Sequence, residues 1–260
     1  MAGRVHAEVD DHVGWIIFDH PERRNALSAH MWGELAAIAD RFAADSRVRV
    51  VVMRGAGEIA FVSGADISQF EGAKGGATSS GLEAGGGNAF AALSRLDKPL
   101  IAMIHGYCIG GGLAVALCAD LRYAADDASF AIPAARLGVG YGMEGVAELS
   151  RVVGLSYAKE ILFSASRYSA AEALQMGLVN RVVPKSTLEA TVEGLAERIA
   201  GNAPLTVRSV KLIARELTRE RPERDMKAVG EAVAACFDSV DFKEGVSAFL
   251  EKRSPHFKGH

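Results

Sequence analysis

Runs of β-branched residues in the first part of the chain predict strands, and a helix-spaced stripe lies between them. Residues 13–19 (VGWIIFD) and 48–54 (VRVVVMR) are rich in Val and Ile, which suit the pleated surface of a sheet. Ser28 is a candidate N-cap, and apolar residues recur after it at helical spacing: Met31, Leu35, Ile38, Ala39 and Phe42. The pattern therefore predicts a strand, a helix and a second strand.

The longest uncharged stretch lies in the middle of the chain, where residues 99–119 contain no Asp, Glu, Lys or Arg. A stretch of this length raises the question of a membrane span. The triplet 110–112 is all glycine, however, and glycine runs interrupt helices. We interpret the stretch as a buried strand (100–104), a glycine turn and a buried helix (113–118), followed by a strand at 121–124. The repeated strand, helix, strand order predicts an α/β protein.

The second half of the chain becomes increasingly helical. Ser169 and Glu172 form a capping box, Gly177 ends that helix, and residues 178–183 predict a strand. From residue 186 onward, two apolar stripes predict helices: Val207, Val210, Ile213 and Leu217 on one, and Val229, Val233, Phe237 and Val240 on the other. By contrast, residues 72–87 hold seven glycines and predict a mobile segment.

Composition and charge exclude several classes of protein. The 260 residues are 49% hydrophobic and 23% charged, which is typical of a globular chain, and the net charge of −3 provides no basic surface for nucleic acid or anionic lipid. Neither the three cysteines nor the seven histidines show metal-ligand spacing, so we expect no metal site. The first twenty residues lack the pattern of a secretion signal, so a cytoplasmic location is expected.

Two glycine-rich turns are the candidate chemistry of this chain. One covers residues 61–66 (FVSGAD) and the other 106–112 (GYCIGGG), and each follows a predicted strand. Such turns leave backbone N–H groups without partners, and two amides that converge on one point form an oxyanion hole. The alternative is that the glycines serve only close packing of the backbone.

Five segments in this order resemble the enoyl-CoA hydratase/isomerase (crotonase) superfamily. They are residues 21–27 (PERRNAL), 61–67 (FVSGADI), 105–112 (HGYCIGGG), 171–179 (AEALQMGLV) and 244–253 (EGVSAFLEKR). The resemblance covers nearly the whole chain. It implies an α/β spiral of ββα units, an acyl-CoA-binding core at 1–200 and a C-terminal helical trimerisation region at 201–260.

The resemblance also implies site residues and partners. It implies that the amides of Ser63 and Gly111 hold the oxygen of an acyl-CoA thioester as an enolate forms. The residues implied for substrate binding are Arg24, Ala60, Gly64, Ala65, Asp66 and Ile67, together with Lys252 from a neighbouring subunit. Coenzyme A enters as part of the substrate, so no separate cofactor is expected, and the assembly expected is a homotrimer or a dimer of trimers.

The sequence departs from the family's hydratases at two positions. Those enzymes use two glutamates to activate water and deliver the proton, and the matching positions here are Ala114 and Ala134. Because alanine cannot carry a proton, ordinary hydration is not expected.

Two nearby residues are candidates for other chemistry. Tyr141 resembles the tyrosine of the family's methylmalonyl-CoA decarboxylases, in which an oxyanion hole stabilises the enolate left by CO2. Glu144 is a candidate relocated base for isomerisation. The alternatives are that Tyr141 only lines the pocket, that Glu144 faces solvent, and that the chain binds acyl-CoA without catalysis. His105 fits a core histidine better than a catalyst.

Two other enzyme classes find little support. Residues 140–145 (GYGMEG) spell the glycine pattern of dinucleotide-binding turns, but Pro133 in the preceding segment is a poor guest in a central strand. No serine stands in the G-x-S-x-G pattern of serine hydrolases.

Overall fold

The strands form two sheets in the computed structural model, which describes residues 3–65 and 78–260. The strands are β1 (Arg4–Asp10), β2 (Val13–Asp19), β3 (Val50–Gly55), β4 (Ala60–Val62), β5 (Leu100–Ile104), β6 (Tyr107–Ile109), β7 (Leu121–Ala125), β8 (Ser129–Ala131), β9 (Tyr168–Ser169) and β10 (Arg181–Val183). The larger sheet has the order β1-β2-β3-β5-β7-β10, and the smaller one has the order β4-β6-β8-β9. Pairing is parallel except for β1 with β2 and β8 with β9.

The helices lie between and beyond these strands. They are α1 (Ala29–Ala44), α2 (Thr78–Arg95), α3 (Gly111–Leu117), α4 (Ala134–Leu137), α5 (Met143–Ser164), α6 (Ala170–Gln175), α7 (Leu188–Ala200), α8 (Pro204–Leu217), α9 (Met226–Asp238) and α10 (Val240–Glu251). In the part of the chain that the structure describes, no helix is both long and apolar enough to cross a membrane.

A strand–strand–helix unit repeats along the chain. In β3-β4-α2, β5-β6-α3 and β7-β8-α4, the first strand joins the larger sheet and the second joins the smaller one. Each unit therefore steps along both sheets at once, which confirms the α/β spiral of ββα units. The ends of β4 and β6 become neighbours through this repeat, because these strands pair in the smaller sheet.

Two apolar cores hold the layers together. The larger core fills the space between the sheets and the helices α1, α2, α3 and α5, with Phe18, Phe61 and Leu113 fully buried. The smaller core lies under α7, where Val192 and Ala196 pack on Val50 and Val52 of β3. Removing such side chains from water is the main stabilising contribution to folding.

The C-terminal region is attached to the core through specific polar contacts. The Arg49 guanidinium donates to the carbonyl oxygens of Ala200 and Phe257, and the Lys211 ammonium donates to the Asp120 carboxylate. The buried Asp241 carboxylate accepts the amides of Lys258 and Gly259. The boundary expected at residue 200 stays a prediction.

Two expectations about the elements were wrong in detail, and one edge strand of the larger sheet had no counterpart among the predicted strands. Val240 does not continue the stripe of Val229, Val233 and Phe237, because Ser239 caps a new helix with its hydroxyl. The strand expected at 178–183 is only β10, because the Leu178 amide returns to Ala173 in the turn after α6. Strand β1 was missed, because its outward residues are charged and it lies at the edge of the larger sheet.

The glycine-rich segment at 72–87 falls partly outside the described residues. Residues 72–77 lie outside them, whereas α2 begins at Thr78 and therefore includes the later glycines. The prediction that the whole segment is mobile stays a prediction.

Candidate active site

The loop before α1 fixes the first glycine-rich turn. Asn25 is buried and adopts a left-handed conformation (φ 57°), which asparagine tolerates better than most residues. Its side-chain amide donates to the carbonyl oxygens of Ala56 (3.1 Å) and Ala60 (2.8 Å), and its side-chain oxygen accepts the amide of His20 (2.9 Å). The segment 21–27 therefore fixes the start of β4 through the Asn25 side chain, a role that the sequence alone did not reveal.

The amide of Ser63 is already engaged. It donates to the carbonyl oxygen of Arg24 at 3.1 Å, and the Ser63 hydroxyl donates to the carbonyl oxygen of Arg23 at 3.2 Å. A backbone N–H directed at a protein carbonyl is not available to a ligand oxygen. The expectation that Ser63 supplies an oxyanion amide is therefore corrected.

The amide of Ala65, two residues further along the turn, points in a different direction. Leu27 forms a parallel bridge with Ala65, and the Leu27 amide donates to the carbonyl oxygen of Gly64 at 2.8 Å. Because N–H groups alternate sides along an extended segment, the amide of Ala65 points away from Leu27. Among the described residues, this amide has no acceptor.

Ala65 and Gly111 meet at this point. The position that a Cβ atom of Gly111 would occupy lies 3.6 Å from the Ala65 amide nitrogen. Gly111 is the first residue of α3, and the first amides of a helix have no acceptor within it. In the described part of the chain neither amide has an acceptor, and the two residues lie side by side where the ends of β4 and β6 meet.

Glycine at position 112 makes this meeting possible. A Cβ atom at Gly112 would lie 2.1 Å from the carbonyl oxygen of Val62, a separation that no side chain can occupy. The start of α3 therefore rests directly on the end of β4. Gly110, with φ 55°, turns the chain from β6 into α3.

An aromatic pair borders the two amides. Trp32 of α1 is buried, and its Cζ2 atom lies 3.6 Å from the Cβ position of Gly111. Its ring meets that of Phe90 edge to face, with centroids 5.4 Å apart. Sequence reasoning missed both residues, because apolar residues at helical spacing indicate core as readily as a pocket wall.

The two alanine positions flank the same turn. Ala114 lies on the second turn of α3 and is half-buried, and Ala134 is half-buried at the start of α4. The segment before α4 is held against the glycine turn, because Gly110 donates its amide to the carbonyl oxygen of Ala131 at 2.8 Å. Neither alanine supplies an ionisable group.

Tyr141 is the candidate acid that lies just before α5. Its half-buried ring packs against the larger core and lies over Gly145, where a Cβ atom would meet ring carbon Cε1 at 2.5 Å. Burial, and secondarily the nearby Cys118 thiol, raise the pKa of Tyr141, so its hydroxyl stays protonated at neutral pH. Cys118 is one helical turn after Ala114, on the same face of α3.

The remaining predicted residues are distributed differently. Glu144 is exposed, and Ala60 is buried with its carbonyl oxygen held by Asn25. Lys252 is exposed at the end of α10, and within the chain no described contact joins it to the turn at 63–65. Gly64 lies in the turn with φ 115°, a conformation suited to glycine. Asp66 and Ile67 lie outside the described residues.

His105 occupies the position before the second glycine turn. It is 5% exposed, and its Nε2 atom has no hydrogen-bond partner among residues 3–65 and 78–260. Burial, with a smaller contribution from the Lys185 ammonium, lowers its pKa. A neutral, enclosed imidazole fits the expectation of a core histidine.

A family comparison decides the class of this fold. The sequence model of the family described as Enoyl-CoA hydratase/isomerase matches residues 8–260. The chain belongs to the enoyl-CoA hydratase/isomerase family. Members of this family bind acyl-CoA thioesters, and the predicted resemblance is confirmed.

Individual relatives agree with this assignment along the whole length. The chain is 36% identical to the short-chain-enoyl-CoA hydratase of Clostridium acetobutylicum, covering 95% of this chain and 94% of that one. It is 37% identical to the carnitinyl-CoA dehydratase of Proteus mirabilis, with both chains fully covered. Family membership and these names indicate an enzyme of the lyase and hydratase type.

Solved structures of the family superpose closely on this chain. An enoyl-CoA hydratase/carnithine racemase from Magnetospirillum magneticum matches with a TM-score of 0.94 at 33% identity, covering 98% of this chain and 96% of that one. An enoyl-CoA hydratase from Bacillus anthracis matches with a TM-score of 0.92 at 32% identity, covering 99% and 100%. The spiral fold is therefore that of the family.

Proposed function

We propose that this family member binds an acyl-CoA thioester and stabilises its enolate between the amides of Ala65 and Gly111. The observation that carries the proposal is the placement of these two acceptor-free amides side by side. Gly111 keeps the role expected from the sequence, and Ala65 replaces Ser63.

The chemistry follows from what two fixed donors do to a carbonyl. When a bond at the α-carbon breaks and leaves its electron pair behind, negative charge moves onto the thioester oxygen. Two amides that already point at this oxygen stabilise the enolate without reorganisation, and a single donor of this kind typically contributes a factor of about 10² to 10³ in rate. The nearby Trp32 ring reduces the access of water to the same point.

Ordinary hydration is disfavoured by the side chains at the site. Adding water across a double bond needs one group that deprotonates the water and one that protonates the α-carbon. The positions that supply them in the family's hydratases hold the methyl groups of Ala114 and Ala134. Positioned acids and bases contribute about 10² to 10⁴ each, so hydration by this chain should be slow.

Decarboxylation of a 2-carboxyacyl-CoA is the second candidate, and it suits a site in which neither Ala114 nor Ala134 supplies a base. The bond between the α-carbon and the carboxylate breaks, CO2 leaves, and the electron pair becomes the enolate. A proton then adds to the α-carbon. No base is needed, and a protonated Tyr141 hydroxyl is suited to donate that proton or a hydrogen bond. Isomerisation would need a base, and the exposed Glu144 is the weaker candidate for it.

An apolar groove lies in the C-terminal helical region, and we propose that a second copy of the chain binds there. Residues of α9 and α10 line it, and many remain exposed: Val233, Phe237, Phe242, Val246, Phe249 and Leu250. Phe249 is 83% exposed, which is unfavourable for an isolated subunit. The assembly proposed is a homotrimer or a dimer of trimers, in which Lys252 of one copy reaches the substrate of another.

The assembly is tested by one substitution in this groove. Phe249→Asp places a charge on the apolar face and should shift the protein to monomer, as measured by light scattering coupled to gel filtration. Lys243→Asp, on the same helix but outside the groove lining, is the matched control. An unchanged trimeric mass for Phe249→Asp, or a monomeric wild type, would contradict this assembly.

The function is tested with a panel of thioesters and parallel binding measurements. Crotonyl-CoA, a 3-enoyl-CoA and methylmalonyl-CoA report on hydration, isomerisation and decarboxylation. Release of CO2 from methylmalonyl-CoA would support the decarboxylase, and double-bond migration would support the isomerase. Fast hydration of crotonyl-CoA would overturn the argument from Ala114 and Ala134. Tight binding without turnover would leave a non-catalytic acyl-CoA-binding protein, and absence of binding would refute the proposal.

A further inference from the structure

The loop between β3 and β4 is closed by one buried side chain. Asn25 is 1% exposed, and its side-chain amide donates to the carbonyl oxygens of Ala56, just after β3, and of Ala60, at the start of β4. Gly55 leaves room for this side chain, because a Cβ atom there would lie 2.6 Å from the Asn25 Nδ2 atom. The Asn25 side chain therefore connects both ends of the loop that leads into β4.

The polar atoms of the Asn25 side chain are all engaged within the chain. Its N–H groups bind the two loop carbonyls, and its side-chain oxygen accepts the His20 amide at 2.9 Å. The Asn25 backbone amide donates in return to the His20 carbonyl oxygen at 2.8 Å, which holds Asn25 in its left-handed conformation. Aspartate and glycine also tolerate this conformation, but neither offers a side-chain N–H donor. Asparagine therefore meets both requirements of this position.

The residues that flank this asparagine connect it to the amide pair. The Ser63 amide donates to the carbonyl oxygen of Arg24, and Leu27 forms the parallel bridge with Ala65. The Leu27 amide also donates into the same turn, at 2.8 Å. The Ala65 amide itself has no acceptor among the described residues. Its direction is therefore set by the position of β4 relative to the segment before α1.

The direction of that amide matters more for the enolate than for the bound thioester. The oxygen carries more negative charge in the enolate, so a misdirected donor loses more stabilisation in the transition state than in the substrate complex. A displacement of about 1 Å at a reacting group costs about 10²-fold in rate, even when a remote substitution causes it. A residue that fixes this amide therefore acts on kcat rather than on KM.

We propose that Asn25 is a positioning residue, which fixes the direction of the Ala65 amide through the two loop carbonyls that it binds. The inference rests on the proposed function and concerns a side chain that has no assigned contact with substrate. Because its N–H groups are used on Ala56 and Ala60, Asn25 acts through β4 and does not donate to the ligand.

Two substitutions that keep the left-handed conformation test this role. Asn25→Gly removes the side chain, and Asn25→Asp keeps an acceptor for the His20 amide but has no N–H donor. For the thioester that is turned over, kcat should fall by between about tenfold and 10²-fold, while KM stays within about twofold. Infrared spectra of bound acetyl-CoA, isotope-labelled at its carbonyl carbon, provide a second readout. The C=O band should lie at a higher frequency in both variants than in the wild type, because a misdirected amide polarises the carbonyl less.

The chain provides a matched control in Asn180. Its side-chain oxygen accepts the Arg122 amide at 2.8 Å, and its own amide donates back to the Arg122 carbonyl oxygen at 2.8 Å, as Asn25 does with His20. Arg122 belongs to β7 of the larger sheet. Asn180→Gly should therefore leave kcat and the C=O band unchanged, even where it lowers the thermal midpoint.

The outcomes separate this role from the proposed function. If folded Asn25 variants keep the wild-type kcat and C=O band, or raise KM with kcat unchanged, the positioning role is wrong and the proposed function stands. If the wild type turns over no thioester, the C=O band alone decides. If acetyl-CoA does not bind to the wild type, or its C=O band matches that in water, the proposed function fails and the positioning role fails with it.

Discussion

The candidate site has two halves, one formed by backbone amides and the other by side chains. On one side, the amides of Ala65 and Gly111 are held by backbone contacts that glycines permit. On the other side, positions 114 and 134 lie beside the same turn, but their methyl groups cannot transfer protons. Donors that belong to the backbone are retained whenever the fold is retained, whereas proton transfer depends on single side chains. A chain of this fold can therefore keep enolate stabilisation and exchange the reaction that produces the enolate.

The largest effect should come from the backbone half. Gly111→Pro removes one amide, and proline is accepted at the first position of a helix because its missing N–H has no helical acceptor. We expect turnover of the active thioester to fall by about 10² to 10³-fold. Steady-state rates and the thermal midpoint are measured together. Unchanged turnover in a folded variant would sink the assignment of this amide.

Rebuilding the side-chain half should give the next largest effect. The double variant Ala114→Glu, Ala134→Glu introduces the two carboxyl groups that the family's hydratases use. Crotonyl-CoA hydration should rise by about 10²-fold, as for one effective acid or base. The control is Ala7→Glu, a half-buried alanine of β1 at the edge of the larger sheet. Equal hydration rates for the double variant and the wild type would show that acid–base chemistry at 114 and 134 is not what limits this chain.

A smaller effect is expected from Tyr141, whose ring packs against the larger core just before α5. Tyr141→Phe keeps the ring over Gly145 and removes the hydroxyl, so the rate of decarboxylation should fall by about tenfold as one hydrogen bond or proton donor is lost. Tyr157→Phe, also in α5 and also half-buried, is the matched control and should retain the wild-type rate. Equal rates for the two variants would leave Tyr141 with a lining role only.

The smallest effect concerns His105, which precedes the amide-bearing turn. Its pKa is lowered in the folded protein by burial, so the unfolded chain binds a proton at a pH where the folded chain does not. Stability is complete above the unfolded pKa of about 6.5 and decreases as the pH falls through it. Urea midpoints between pH 7.5 and 5.5 should show this decrease for the wild type and a weaker one for His105→Gln. If the urea midpoints of the wild type and His105→Gln depend equally on pH, the lowered pKa of His105 in the folded protein is contradicted.

Sequence reasoning identified much of the fold because its signals are local. Ser28 caps α1 as expected, and the capping box of Ser169 and Glu172 is present. The spiral followed from the resemblance, and the repeated strand pairs confirm it. Val240 was misplaced because Ser239, a polar residue between two apolar stripes, restarts the helix without changing the spacing of the apolar residues.

The site was less predictable because its geometry depends on which partner each amide finds. Ser63 and Ala65 lie two residues apart in one motif, and they are distinguished by the contact of Ser63 with the carbonyl oxygen of Arg24 and by the bridge of Ala65 with Leu27. Trp32 is far along the chain from Gly111, the residue that it approaches. No local pattern marks this tryptophan as part of a site.

The contact between Gly112 and Val62 has a consequence for anyone who would diversify this scaffold. A Cβ atom at position 112 would lie 2.1 Å from the Val62 carbonyl oxygen, so this position tolerates no side chain. We therefore expect variants that keep Gly112 to keep the spacing of the two amides. A mutagenesis library should therefore leave this position fixed and randomise the walls around Trp32, Ala114 and Tyr141. Selection for new reactions would then act on the pocket walls while the pair of backbone hydrogen-bond donors stays constant.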